Sequence, residues 1–348
     1  MFRLPDPAPI AEFEAVDRAR FEAEIRPLGR PAVLRGVARH WPAVARARHS
    51  DEAILRYIAD LAVDGPVDVV VAPPKVKGRL SYERDLSGLN FLRGRSSLGN
   101  FLNRLLHDRD TARPHALALQ SAAVPQLLPG FMEANPLALP PAVAIPRIWI
   151  GNALCVAIHA DLSENIAVNV AGRRRFTLFP PEAMDKLYVG PVEFTPAGPL
   201  TSLVDLTAPD LDRFPAFADA MAMALVAGLE PGDALYLPFY WWHHVQSLDA
   251  VNVLINYWWV DAPREKVANP LDAAMQAMLT MARLPPDQRR VLEVMLRYYV
   301  LQEGLPPAAH IPEPARGALA EIGDARLTGL RGLPDDNHGI QDTRTPIG

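Results

Sequence analysis

His159 and Asp161 stand one position apart in the stretch from Trp149 to Pro181. On a β-strand, residues i and i+2 project from the same face, so this imidazole and carboxylate leave the strand together. Such a pair is two thirds of a facial two-histidine, one-carboxylate metal site. A third ligand has to come from a distant strand, and His243 in LYLPFYWWHHV can supply it. Alternation sends His243 and His244 to opposite faces, so only one can ligate; His244 reads as a packed or solvent-facing histidine. His40, His49, His107, His115, His310 and His338 form no comparable pattern.

Other polar residues flank the same strands. In Arg173-Arg174-Arg175, alternation puts 173 and 175 on one face and Arg174 on the other. Arg174 is then either an inward cation able to clamp a carboxylate bidentately or part of a solvated basic turn. Asn165 and Asn256 lie in apolar strand runs, where a buried amide needs partners from the backbone or a ligand. Five of the six tryptophans (Trp149, Trp241, Trp242, Trp258 and Trp259) fall on candidate strands, where packing is their default use and walling a site the alternative.

The elements that must position these groups can be read from pattern. Strands are expected at Pro31–Leu34, Val67–Val71, Arg79–Arg84 and His115–Ser121. A denser series follows at Arg147–Gly151, Cys155–His159, Ile166–Val170, Arg175–Phe179, Ala234–Pro238, Trp242–Ser247 and Val251–Trp259. Glu230-Pro231-Gly232-Asp233 has the Pro and Gly that a type II turn requires. Helices are expected at Phe21–Ile25, Asp51–Leu61 with Ser50 as N-cap, Ser97–Leu106, Pro125–Asn135, Glu182–Tyr188 and Phe217–Met223. Residues 189 to 214 read as irregular. Short strands with tight turns imply an antiparallel barrel or jelly roll. The fold class is therefore mainly β with flanking helices, followed by a C-terminal helical region. Two amphipathic helices, in DAAMQAMLTMARL and PDQRRVLEVMLRYYVLQ, lead that region, with a third stretch at 314–330. The domain division reads as 1–262, 263–333 and a flexible tail, 334–348.

Composition narrows the class. The chain has 348 residues, 49% hydrophobic, enough for a sizeable core. A net charge of −5 with no basic patch gives no reason to expect nucleic acid. The single cysteine, Cys155, excludes an internal disulfide and fits a reducing cytoplasm. No apolar run is long enough to span a bilayer, and MFRLPDPAPI has no secretory pattern.

Taken together, WIGN, the H-A-D pair, NIAVNVAGRRRFTLFPPE, RFPAF, LEPGDALYLPFYWWHHV and VNVLINYWWV resemble the cupin-like branch of the JmjC oxygenases, in particular its asparaginyl hydroxylases. RPAVLRGVARHWPAV extends the likeness, which covers roughly residues 20 to 262. The resemblance implies a double-stranded β-helix that binds Fe(II) and 2-oxoglutarate. His159, Asp161 and His243 would be the iron ligands. Arg174, where the family usually has lysine, would hold the cosubstrate carboxylate, with Asn165 and Asn256 beside it. Gln120 and Trp258 fall on substrate-contacting positions. Val156 stands where the family often has threonine, and Ala118 where the hydroxylase has tyrosine. The expected activity is hydroxylation of a protein side chain or small molecule, with a homodimer formed through the C-terminal helices. A non-catalytic metal- or ligand-binding cupin and a different metal chemistry on the same barrel are the alternatives.

Overall fold

The computed structural model describes residues 4–261, 270–302, 310–312 and 315–316. Eight strands build its centre: β1 (Ile145–Gly151), β2 (Cys155–Ala160), β3 (Glu164–Ala171), β4 (Arg174–Phe179), β5 (Leu225–Leu229), β6 (Ala234–Leu237), β7 (Trp242–Ser247) and β8 (Asn252–Trp259). They divide between two sheets. One has the order β5-β4-β7-β2, the other β6-β3-β8-β1, and all these pairs are antiparallel. Every connection from β1 to β8 switches sheets except β4 to β5. That is a double-stranded β-helix, or jelly roll, as the strand pattern and the resemblance implied.

Flanking strands widen both sheets. Ala11–Glu14 and Ala32–Arg35 extend the larger sheet beyond β6, and Ala116–Ala123, Pro66–Ala72 and Leu92–Ser97 extend it beyond β1. Arg79–Leu80 joins the edge of the smaller sheet beside β2, and Ala8–Pro9 joins the other edge beside β5.

Alternation along the strands creates two apolar layers. Ile148, Ile150, Ile166, Val168, Val253 and Ile255 face outward from the larger sheet onto the flanking helices. Ser50 caps the helix Asp51–Leu61 by accepting from Ala53 N at 3.1 Å, and that helix buries Ile54, Leu55 and Ile58. Ser97 caps the helix Leu98–Asp108 in the same way, and Leu98, Phe101, Leu102 and Leu105 form its buried face. The inner layer, between the sheets, contains Ala167, Phe176, Leu178, Leu235, Val245 and Leu254. The Pro-Gly turn before β6 forms with Gly232 at φ +101°, and Asp233 ties it to Gly36 N at 2.9 Å and Arg35 at 2.6 Å.

Several local expectations need correction. Of Arg79–Arg84 only Arg79–Leu80 is a strand, because the chain then turns back so that Tyr82 bridges Leu89. The helix expected over Pro125–Asn135 is two single turns, Val124–Leu127 and Phe131–Ala134, broken at Gly130 with φ +80°. Pro181–Lys186 is 3-10 rather than α, and Phe21–Ile25 is a π-turn. A helix at Pro42–His49 and the strands β5 and Leu92–Ser97 were not expected at all.

The chain divides into a β-rich unit ending at Trp259 and a helical unit beginning at Val260. The helical unit contains the helices Pro270–Thr280 and Pro286–Tyr299, separated by the 3-10 turn Met281–Arg283. Most of the expected third helix, 314–330, and the tail from 334 lie outside the described residues. No helix among those described is long and apolar enough to cross a membrane.

Candidate metal centre

His159 sits near the end of β2, and Asp161 follows the strand's last residue. His243, on β7, is the direct cross-strand partner of His159, which places the two ring centroids 4.2 Å apart. One ligand atom from each of His159, Asp161 and His243 lies within 4.8 Å of the others. His243 Nε2 is 3.8 Å from Asp161 Oδ2.

The backbone orients both imidazoles through Nδ1. His159 Nδ1 is 2.8 Å from Ala157 O, and His243 Nδ1 is 3.0 Å from Trp241 O. A carbonyl only accepts, so each Nδ1 carries a proton, which leaves Nε2 as the nitrogen available to a metal. Burial, and then the nearby His159, push the His243 pKa down to about 4, so this ring is neutral at pH 7, the form that binds a metal. Two imidazoles and one carboxylate on one face suit non-haem iron.

The long β4–β5 connection braces β2. Thr201 bridges His159, Ala160 N donates to Leu200 O at 3.3 Å, and Ser202 N donates to Ile158 O at 2.8 Å. From the other side Tyr240 N, with its residue at φ +62°, donates to Asp161 O at 3.1 Å. His244 points away, opposite Thr177 on β4, and is packed; burial lowers its pKa to about 4.

His159, Asp161 and His243 open into a cavity of about 470 Å³ between the sheets, within the usual size range of ligand pockets. Arg174, Asn165, Asn256, Gln120 and Trp258 all line it. Arg174 is 5% exposed while Arg173 and Arg175 are exposed, so the inward reading of the basic triplet is the one the fold adopts. Its cross-strand neighbours are Ser247 and Leu229, neither an anion. Arg174 Nε has no hydrogen-bond partner among the described residues, and burial pushes its pKa down to about 9. Asn256 Nδ2 donates to Asn165 Oδ1 at 3.0 Å, while Asn256 Oδ1 is buried without a partner. Ala118, Val156, Phe176, Val245 and Leu254 complete an apolar wall.

Three features of this cavity escaped the sequence reading. Arg147 lines it from β1, and its inward parity was available from Trp149 two residues on. Ser247 lines it from β7. A bulge at Gln120-Ser121 carries no sequence signal, since Ser121 adopts φ +52° without being glycine.

The profile of the cupin-like domain matches residues 18–265, most of the chain. The protein belongs to the cupin-like JmjC family. Its similarity to individual family members is partial. It is 35% identical to HSPB1-associated protein 1 of Homo sapiens over 39% of this chain and 27% of that protein. It is 26% identical to Jumonji C domain-containing protein 5 of Drosophila melanogaster, over 74% of this chain and 61% of that one. It is 27% identical to the human bifunctional peptidase and (3S)-lysyl hydroxylase JMJD7, over 66% of this chain and 77% of that one. The chain thus spans between about a quarter and three fifths of the first two relatives.

Proposed function

We propose that this cupin-like protein is an Fe(II)- and 2-oxoglutarate-dependent dioxygenase that hydroxylates a C–H bond of a protein side chain or small molecule. The observation that carries the reading is Arg174, a buried cation that forms no ion pair among the described residues and lines the cavity onto which His159, Asp161 and His243 open. Buried charges are ordinarily paired, so such a guanidinium asks for an anionic ligand. His159, Asp161 and His243 would hold the iron. Arg174 would take the far carboxylate of 2-oxoglutarate, with Asn165 and Asn256 at its side and Gln120 and Trp258 toward the substrate. Bound together, iron and 2-oxoglutarate supply the oxidising chemistry that yields succinate and carbon dioxide and places oxygen on the substrate. The chain's own contribution is to present Nε2 of both histidines, fix the cosubstrate by its charge and keep water out with the Val156, Phe176, Val245 and Leu254 wall. The lysyl hydroxylase among the relatives supports a protein side chain as the substrate class.

The test is succinate formation from 2-oxoglutarate with added Fe(II), followed with and without candidate substrates. Iron-dependent succinate that disappears in His159→Ala is the expected result. Iron binding with neither 2-oxoglutarate binding nor succinate overturns the reading. It would favour a non-catalytic metal-binding cupin, consistent with the missing hydroxyls at Ala118 and Val156. In the helical unit, Val291, Val294, Met295 and Tyr299 expose an apolar stripe on the helix Pro286–Tyr299, which supports a homodimer through these helices.

A further inference from the structure

Arg147 is a second guanidinium in the cavity, on the wall opposite Arg174. It projects from β1 in the larger sheet, whereas Arg174 projects from β4 in the smaller one. Arg147 is half-buried and pairs with no carboxylate among the described residues. Its one hydrogen bond there runs from Nη1 to Ser121 O at 2.5 Å, a neutral acceptor. A guanidinium has five N–H donors, so most of its capacity is left for something in the cavity.

The backbone around it is built unusually. The strand Ala116–Ala123 pairs with β1 through Leu119↔Ile150 and Ala122↔Ile148, so Gln120 and Ser121 together oppose Trp149 alone. That two-against-one count is a β-bulge, a device that re-aims side chains near sites. Ser121 carries φ +52°, a conformation costly for a residue other than glycine. The bulge turns the Ser121 carbonyl onto Arg147 and leaves Gln120 lining the cavity. Trp149, two residues along the same face of β1, buries an indole N–H with no acceptor among the described residues. This wall therefore offers N–H donors and a positive charge to which no carboxylate is paired among the described residues.

We infer that this wall is a subsite for an anionic oxygen group, a carboxylate or a phosphate, on the primary substrate, with Arg147 as the residue that selects it. Gln120 and the Trp149 indole add neutral hydrogen bonds. The inference rests on the proposed oxygenase reading, in which Arg174 is already occupied by the cosubstrate; a second acceptor for a second anion is then what Arg147 provides. Charge-assisted, forked contacts of this kind discriminate an acid from its amide because the amide leaves the guanidinium uncompensated.

The experiment uses the full chain loaded with Mn(II) and saturating 2-oxoglutarate, so that Arg174 is filled. The probes are N-acetyl-aspartate amide, N-acetyl-phosphoserine amide and the neutral N-acetyl-asparagine amide, titrated by calorimetry. Wild type is expected to bind at least one acidic probe about tenfold or more tighter than the asparagine probe, the scale of a hydrogen bond to a charged group. Which acid wins identifies the group. Arg147→Gln should abolish the preference and leave 2-oxoglutarate affinity unchanged, Arg147→Lys should retain part of it, and Trp149→Phe should weaken binding with its ring retained. Equal binding of acidic and neutral probes by wild type, including no binding of any at millimolar concentration, overturns the inference. So does a preference that survives in Arg147→Gln. If Arg147→Gln instead loses 2-oxoglutarate, Arg147 serves the cosubstrate and the subsite is wrong while the oxygenase reading stands. Failure of wild type to bind 2-oxoglutarate sinks the oxygenase reading itself, and the charge preference of the Arg147 wall is then read in the Mn(II) protein carrying Arg174→Met, with and without Arg147→Gln.

Discussion

Replacing Arg174 by methionine should move stability and ligand binding in opposite directions. The guanidinium is 5% exposed, its Nε lacks a partner among the described residues, and burial lowers its pKa from the usual arginine value to about 9. Both values lie above neutral pH, so at pH 7 the group is charged in the folded and the unfolded chain. The cost of burying that charge therefore falls in full on the folded state, and it would be relieved only as pH rose through and beyond 9. At 1.36 kcal/mol per unit, the fall sets an upper limit of about 5 kcal/mol. Methionine keeps the aliphatic stem without the charge, and apolar replacement of buried ionic groups typically returns ~1–4 kcal/mol. At roughly 2–4 °C per kcal/mol for a domain of this size, the ligand-free variant should melt several degrees above wild type. With 2-oxoglutarate at a hundred times its Kd, wild type should gain about 2.7 kcal/mol and the variant little or nothing. Thermal unfolding of both proteins, loaded with Mn(II) and scanned with and without 2-oxoglutarate, reads both effects. A variant that melts lower than wild type yet keeps the full 2-oxoglutarate shift would refute the reasoning, since it would show a structural cation rather than one waiting for a ligand.

Two further expectations concern parts of the chain away from the cavity. Asn135 is fully buried, accepts from Ala43 N at 3.0 Å and donates to Phe131 O at 2.8 Å and Tyr57 Oη at 2.9 Å. Phe131 O also accepts the Asn135 backbone N–H at 2.9 Å, so Asn135→Ala strips the amide only from Ala43 N and Tyr57 Oη and should cost about 2–4 kcal/mol in urea unfolding, at ~1–3 kcal/mol for each buried group left unmade; a loss below about 1 kcal/mol would contradict the account. Val294 is 66% exposed on the apolar stripe of Pro286–Tyr299. If that stripe pairs two copies, light scattering should find a dimer for wild type and a monomer for Val294→Asp; a monomeric wild type removes the dimer.

How much the sequence disclosed depended on how local each signal was. His159 and Asp161 were legible because i, i+2 spacing on a strand is decided by the strand alone, and His243 because a Pro-Gly turn and an apolar run announce β6 and β7. Arg174 could be narrowed to two readings by alternation, and only packing decided between them. β5 was invisible: it is five residues, LVAGL, with Gly228 inside it, and its partner β4 lies across the long 180–224 connection. Leu92–Ser97 was missed because LRGRSS is polar and lies at the sheet edge, where one row of backbone groups needs no partner strand. The brace of Thr201 on His159 leaves no trace in pattern, since it is one bridge from an irregular segment. The Gln120-Ser121 bulge is likewise a tertiary product, because neither residue favours φ > 0.

The cavity's charges ride on strands whose register is fixed by other residues, and this is what lets them be exchanged. A one-residue slip of β4 would take Phe176 and Leu178 out of the inner layer and turn Arg173 and Arg175 inward, two charges for one. Arg173 is further pinned outside the barrel by Asp249, which accepts from its backbone N at 2.6 Å and from Nη2 at 2.8 Å. β1 is held in the same way: Ile148 and Ile150 are locked into the outer core, so Arg147 and Trp149 must face inward. Neither Arg174 nor Arg147 contributes an ion pair to the fold among the described residues. The register should therefore survive the loss of either guanidinium, and a defect in Arg174→Met or Arg147→Gln can be assigned to the ligand that the charge would have held.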